Sequence, residues 1–202
     1  MKKLLFIVVL NMSYILTFSQ ISNGDVSFEL RYPKPVGDNF LSNYTGIIDA
    51  GIDYSANNSK KFTIGATFNS SFLNGEFPFA DVKLLILSPK FKLQYKINLK
   101  NSAIVSNVAL GYSNFKFFET YNFTDVNANP IGPSTAIKNE NGISLKASSK
   151  IVFNYSKRWS WFIQLSYEFT RLAKPMAAMD VSYNRNVHLI YPGVGITFRF
   201  KK

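Results

Sequence analysis

"RWSWFIQLSYEFT", residues 158–170, sets Trp159, Trp161, Ile163, Leu165, Tyr167 and Phe169 on one parity and mostly Ser160, Gln164, Ser166, Glu168 and Thr170 on the other. A period of two sends the two sets to opposite faces of a β-strand, whereas a helix would scatter them around its circumference. Either the apolar face packs on a water-excluded core, or it faces lipid and the polar face lies inside a closed barrel. Seven further stretches repeat the alternation, at 25–32, 44–55, 60–72, 84–99, 103–118, 142–156 and 187–200. Tyr44, for example, shares its parity with Ile48, Ala50, Ile52 and Tyr54.

Three positions disturb the pattern. In 103–118 the apolar parity passes from Ile104, Val108, Leu110 and Tyr112 to Phe115 and Phe117, which predicts a bulge near Ser113. In 187–200 it passes from Val187, Leu189 and Tyr191 to Val194, Ile196, Phe198 and Phe200, and a second bulge is expected at Pro192 and Gly193. Pro89 keeps the phase of its stretch but has no N–H to give a ladder, so local loss of pairing is expected there.

The connections differ by end. Tight polar turns, "ANNSK", "LKNSA" and "SKR", follow the second, fourth and sixth stretches, and longer segments follow the odd ones. The longest of these, "TYNFTDVNANPIGPSTAIKNEN", begins at Thr120. An even number of antiparallel strands with short turns at one end and long loops at the other is the pattern of an outer-membrane barrel.

The start of the chain, "MKKLLFIVVLNMSYILTFSQ", has Lys2 and Lys3, an apolar stretch and small residues before Gln20, and reads as a cleaved signal peptide over 1–19. Residues 20–202 are then the barrel domain. Asn11, Ser13 and Thr17 break the apolar stretch and argue against an anchor helix. Loss of the signal lowers the net charge from +11 to +9, and a basic exported chain suits membrane headgroups better than nucleic acid. With no Cys the fold has no disulfide, thiol chemistry or lipoprotein anchor.

In a barrel, one parity forms an outward, lipid-facing belt that includes Phe68, Phe91, Leu93, Phe153, Trp161, Ile163, Leu165, Ile196 and Phe198. Aromatic residues near the stretch ends, Tyr32, Tyr44, Tyr54, Tyr95, Tyr155, Trp159, Phe169 and Phe200, suit girdles at the two interfaces. The other parity carries Glu29, Arg31, Asp49, Asp53, Lys90, Lys92, Lys96, Lys146, Lys150, Glu168 and Arg199. Eight closed strands leave room only for side chains, so these charges would form a network inside the barrel. In a sandwich they would simply face solvent.

"FELRYPKPVGDNFLSNYTGIIDAGIDY" followed by a terminal "PGVGITFRF" resembles the outer-membrane β-barrel family common in Bacteroidetes, related in shape to small OmpA-like and OmpX-like barrels. The resemblance spans nearly the whole mature chain. It implies an outer-membrane location, and some relatives, such as PorT-like proteins, serve secretion. Lys201 and Lys202 depart from the aromatic end that many barrel proteins use in assembly.

Catalytic signatures are absent. His188 is the single histidine, and position 190 is Ile where a lipid A deacylase would need Ser; an acyltransferase-like site would have to be built from His188, Asp180 and Ser182. Asp49 and Asp53 share a face, but at roughly 13 Å along a strand they cannot hold one metal ion. No cofactor or metal site is expected, and "GITFRF" lacks the helices of an RNA-binding domain.

The sequence therefore predicts an all-β, eight-stranded, antiparallel up-and-down transmembrane barrel preceded by a signal peptide. Its expected role is structural or interactive, through extracellular loops, above all residues 120–140. The expected surroundings are outer-membrane lipid and lipopolysaccharide, with protein partners at the loops. The alternatives are a narrow pore or anion-binding barrel, since inward lysines outnumber acids, a lipid A-modifying enzyme, and a soluble lipocalin-like carrier.

Overall fold

The computed structural model describes residues 24–37, 39–56, 61–77, 80–124, 130–154, 156, 158–173 and 185–200. The expected signal peptide at 1–19, Tyr155, Asp180, Ser182, Lys201 and Lys202 lie outside the described residues. The strands are β1 (Asp25–Arg31), β2 (Lys34–Pro35), β3 (Tyr44–Ser55), β4 (Phe62–Phe77), β5 (Ala80–Asn98), β6 (Ser102–Thr124), β7 (Pro130–Asn154), β8 (Trp159–Leu172) and β9 (Asn186–Arg199). β1 pairs antiparallel with β3, each strand from β3 to β8 pairs antiparallel with the next, and β9 closes the circle by pairing with both β1 and β2. The short β2 continues β1 along β9, with Tyr32 N donating to Pro192 O at 2.9 Å across the gap at Pro33. The result is a closed eight-stranded barrel. Closure leaves no sheet edge within the barrel wall, so every strand there finds partners on both sides.

The register fixes the tilt. From Phe28 the partners run through Ile52 and Phe68 to Pro89, which the flanking pairs Leu87–Asn114 and Lys90–Gly111 set opposite Tyr112, and on through Ile143 and Arg171 to Asn186, whereas the direct partner of Phe28 on β9 is Ile196. The circuit thus returns ten residues away (196 − 186). With a rise of about 3.3 Å per residue and strands about 4.8 Å apart, a stagger of ten over eight strands means a tilt of about 40°.

The two bulges expected from phase changes do not occur. Ser113 pairs with Gly142 and its neighbours follow in unbroken register on β7. Phe115 and Phe117 stay on the inward parity of β6, 0% and 1% exposed. On β9, Tyr191, Pro192 and Gly193 pair consecutively with Ser166, Leu165 and Gln164. Val187, Leu189 and Tyr191 point inward, and Val194 and Ile196 point outward. The change of apolar parity marks a change in the lumen's composition, since the inward face itself turns apolar toward one end.

An irregularity lies instead between Gly46 and Ile48 of β3. It reverses the parity below it, so Tyr44 is buried in the barrel mouth and does not join an outer girdle. Gly46 fits there because a Cβ would stand 1.8 Å from Pro33 O, on the backbone that links β1 to β2. Pro89 interrupts the ladder on one side only. It pairs with Phe68 on β4, while on the β6 side the pairing skips from Leu87–Asn114 to Lys90–Gly111.

The connections at the loop end also differ from expectation. The β4 and β5 strands lengthen until Phe77 pairs with Ala80, leaving a tight connection. Most of the supposed 120–140 loop is strand: β6 and β7 pair from Ser102–Phe153 to Thr124–Pro130. Residues 130–141 of β7 thereby run past Gly142, the last β7 residue with a partner on β8 (Leu172), as a ribbon that rises beyond the barrel wall.

Candidate functional site

Three layers fill the lumen. At the short-turn end, hydroxyls and amides pair across strands, as in Ser27 with Thr197 at 2.8 Å and Ser55 with Gln94 at 3.2 Å, beside a small cluster of Ala103, Val105, Val152 and Phe162. The middle layer is charged. At the loop end, Leu41, Tyr44, Leu73, Leu84, Ile86, Phe115, Phe117, Leu172, Val187, Leu189 and Tyr191 form an apolar plug. The segment between β2 and β3 supplies part of it. Asn39 folds that segment by donating from Nδ2 to Val36 O at 2.9 Å and accepting from Leu41 N at 2.9 Å, which turns Leu41 into the mouth.

The charged layer is a chain of shared ion pairs. Lys150 Nζ bridges Glu29 and Asp53, at 2.7 Å from Asp53 Oδ2, and lies 4.7 Å from the ring centre of Phe162. Asp53 Oδ2 also meets Lys92 Nζ at 2.8 Å. Glu29 continues to Arg31 Nη1 at 2.9 Å and accepts from Gln164 Nε2 at 3.1 Å. Arg31 in turn pairs with Asp49, whose Oδ2 accepts from Ser71 Oγ. On the far wall Lys90 meets Glu168 at 3.0 Å, and Ser113 joins Glu168, Ser88 and Ser144. Lys146 donates to Asn69 Oδ1 at 3.1 Å and lies over the Tyr191 ring.

Nine of the eleven inward charges named from the sequence are buried in this layer. Lys96 and Arg199 sit half-buried at the short-turn end, where Arg199 Nη2 donates to Ser160 Oγ at 3.1 Å. The layer has little free space: a cavity of about 10 Å³ lies among Glu29, Asp53, Lys146 and Lys150, room for about one water. A second, of about 30 Å³, lies toward the short turns near Lys96 and Arg199. Above them the plug closes the mouth.

The outer face is the reverse of a soluble protein's. Phe91 is 81% exposed and Ile64 69%, with Phe68, Leu93, Trp161, Ile163, Leu165 and Ile196 also exposed and Phe153 and Phe198 half-buried. Ring pairs collect near the short-turn end, with Phe62–Tyr95 at 4.7 Å, Phe153–Trp161 at 4.3 Å and Trp159–Phe198 at 4.8 Å. Nearer the loop end Phe169 and Tyr167 flank His188, whose Nδ1 is 2.6 Å from Tyr167 Oη. His188 therefore sits on the outer wall between aromatic rings. Among the described residues no three His, Cys, Asp or Glu side chains are grouped as for a metal ion.

Sequence reading missed the plug and the inward place of Tyr191. The available signal was the double-sided apolar run at 84–87, together with the parity changes at 113–115 and 191–194. Where the lumen is apolar both faces of a strand are apolar, and alternation fades.

No family model matches the chain, and no curated protein matches it in sequence. Among solved structures it is similar to Neisserial surface protein A, with a TM-score of 0.53 at 12% identity over 88% of this chain and 97% of that one. Likenesses to Ail, the attachment invasion locus protein of Yersinia pestis (14% identity, 88% and 99% covered, TM-score 0.49), and to the outer membrane protein OprG of Pseudomonas aeruginosa (13%, 90% and 97%, 0.44) are lower. The first likeness gives the fold, a small outer-membrane-type β-barrel.

Proposed function

We propose that this chain is an exported outer-membrane protein of the Bacteroidetes type, whose barrel anchors a plugged mouth and a projecting β-ribbon at the cell surface for structural or interactive work. The observation that carries this reading is the inverted polarity of the wall, apolar outside and ionic inside. From Trp159 to Phe169 the outward side of β8 is uncharged. At about 3.3 Å per residue and a tilt of about 40° this span rises about 25 Å, the height of an apolar band in hydrocarbon. The ring clusters toward both ends suit the two interfaces. The short turns then face the periplasm, and the β6–β7 ribbon and the segment 36–44 face outward to protein partners, with lipid and lipopolysaccharide around the wall.

A soluble carrier would need the opposite arrangement, a polar exterior and an apolar internal cavity. The expected result is that the detergent-extracted protein is found in the outer-membrane fraction and migrates differently in gels with and without boiling. A soluble periplasmic protein with no shift would overturn the reading.

The filled lumen supports a role without conduction or catalysis. In planar bilayers the purified barrel is expected to give no conductance steps, because the plug and the paired lysines leave no continuous aqueous path. Regular steps that change on Lys92→Gln would instead establish an anion pore. An enzyme acting on lipid A through His188 would change lipid mass in cells and lose that effect on His188→Ala.

A further inference from the structure

At the loop end of the outer wall, Arg171 and Arg185 border a cleft of about 390 Å³ whose apolar side is formed by Tyr112, Ile143, Leu145 and Phe169. Arg171 is the first charge on the outward parity of β8 after the uncharged span Trp159–Phe169. It pairs with Ile143 on one side and Asn186 on the other, so the strand ladder sets its place. Arg185 is fixed by its own hydrogen bonds, Nε to Leu172 O at 2.9 Å and Nη2 to Ala173 O at 3.3 Å. Among the described residues neither guanidinium forms an ion pair with a carboxylate. Tyr112, Ile143 and Leu145 are exposed and continue downward into the outer apolar belt.

We propose that this cleft docks a phosphate-bearing lipid of the outer leaflet, with its phosphate on Arg171 and Arg185 and an acyl chain along Ile143, Leu145 and Phe169. The inference rests on the outer-membrane reading. Guanidinium groups recognise phosphate with paired N–H donors, and they stand here where the apolar band ends, the depth at which a lipid headgroup begins. A free anion would use only the arginines. A lipid uses both halves of the cleft, so the site's amphipathic make-up selects the lipid.

The test uses the full mature chain in detergent micelles, checked first for its heat-dependent gel shift. Binding of bisphosphorylated lipid A, of the same lipid stripped of both phosphates, and of inorganic phosphate is then followed by native mass spectrometry. The phosphorylated lipid is expected to bind about tenfold more tightly than the stripped one, and Arg171→Gln to remove most of that preference. Arg185 also binds the backbone carbonyls of Leu172 and Ala173, so Arg171→Gln, on an exposed strand end, is the cleaner variant, and Arg171→Lys should restore only part of the preference. Equal binding of the two lipids, no effect of Arg171→Gln, or full competition by equimolar inorganic phosphate would each overturn lipid docking and leave the barrel reading standing. Loss of the gel shift in the unaltered protein would overturn both.

Discussion

Lys150→Met is expected to destabilise the folded barrel by about 3 kcal/mol, the lower end of the range for breaking a buried ion pair. The ammonium is shared by Glu29 and Asp53. Methionine nearly matches the length of lysine, so the loss is mainly of charge and hydrogen bonds, including the ammonium's place over the Phe162 ring. Each carboxylate retains one other cation, Arg31 for Glu29 and Lys92 for Asp53, which keeps the cost from the top of the range. The check is the midpoint of urea unfolding, or the temperature at which the compact gel band disappears. Adding Glu29→Gln to Lys150→Met should cost less than Glu29→Gln alone, because the two act on one pair. Lys138→Met serves as a control: its partner Glu140 is 3.6 Å away and its side chain is 46% exposed, so a change of about 0–1 kcal/mol is expected. Similar small effects at both lysines would mean that the central charges contribute nothing beyond a surface pair.

Leu165→Arg should cost about 2–4 kcal/mol in a bilayer, and Trp159→Arg much less in charge penalty, about 0–1 kcal/mol. Leu165 lies near the middle of the outward span of β8, and Trp159 lies at its short-turn end. Leu165 is 58% exposed, so a watery surface would accept arginine there with little change. Depth dependence is therefore the decisive observation. Reversible unfolding from liposomes measures it, and equal penalties at the two positions would remove the case that this face meets lipid.

How much of this was legible in the sequence varies from strand to strand. In β8 alternation runs from Trp159 to Thr170 with Phe162 as the one apolar side chain on the inward parity, and the structure follows it residue by residue. In β6 and β9 the same rule predicts bulges, because it takes the lumen to be polar throughout, whereas Phe115, Phe117 and Tyr191 point into an apolar layer in unbroken register. In β3 the parity break is real, but its residues give no sign of it, because Tyr44 and Ile48 are both apolar. The 120–140 segment reads as loop because its Pro, Asn and Gly residues disfavour strands, whereas pairing of β6 with β7 carries the ladder through it.

The sequence by itself determined that eight alternating stretches carry two chemically distinct faces, with most of their acids and bases on one of them. It could do so because a side-chain period of two is a local property of an extended chain. Only the tertiary structure decided which charges meet, where the lumen turns from ionic to apolar, and that Leu41 and Tyr44 enter the mouth. Those outcomes depend on which residues stand at the same height on different strands. Closure with a stagger of ten sets that height, and it brings Lys150 of β7 across to Glu29 of β1 and Asp53 of β3, 121 and 97 residues away.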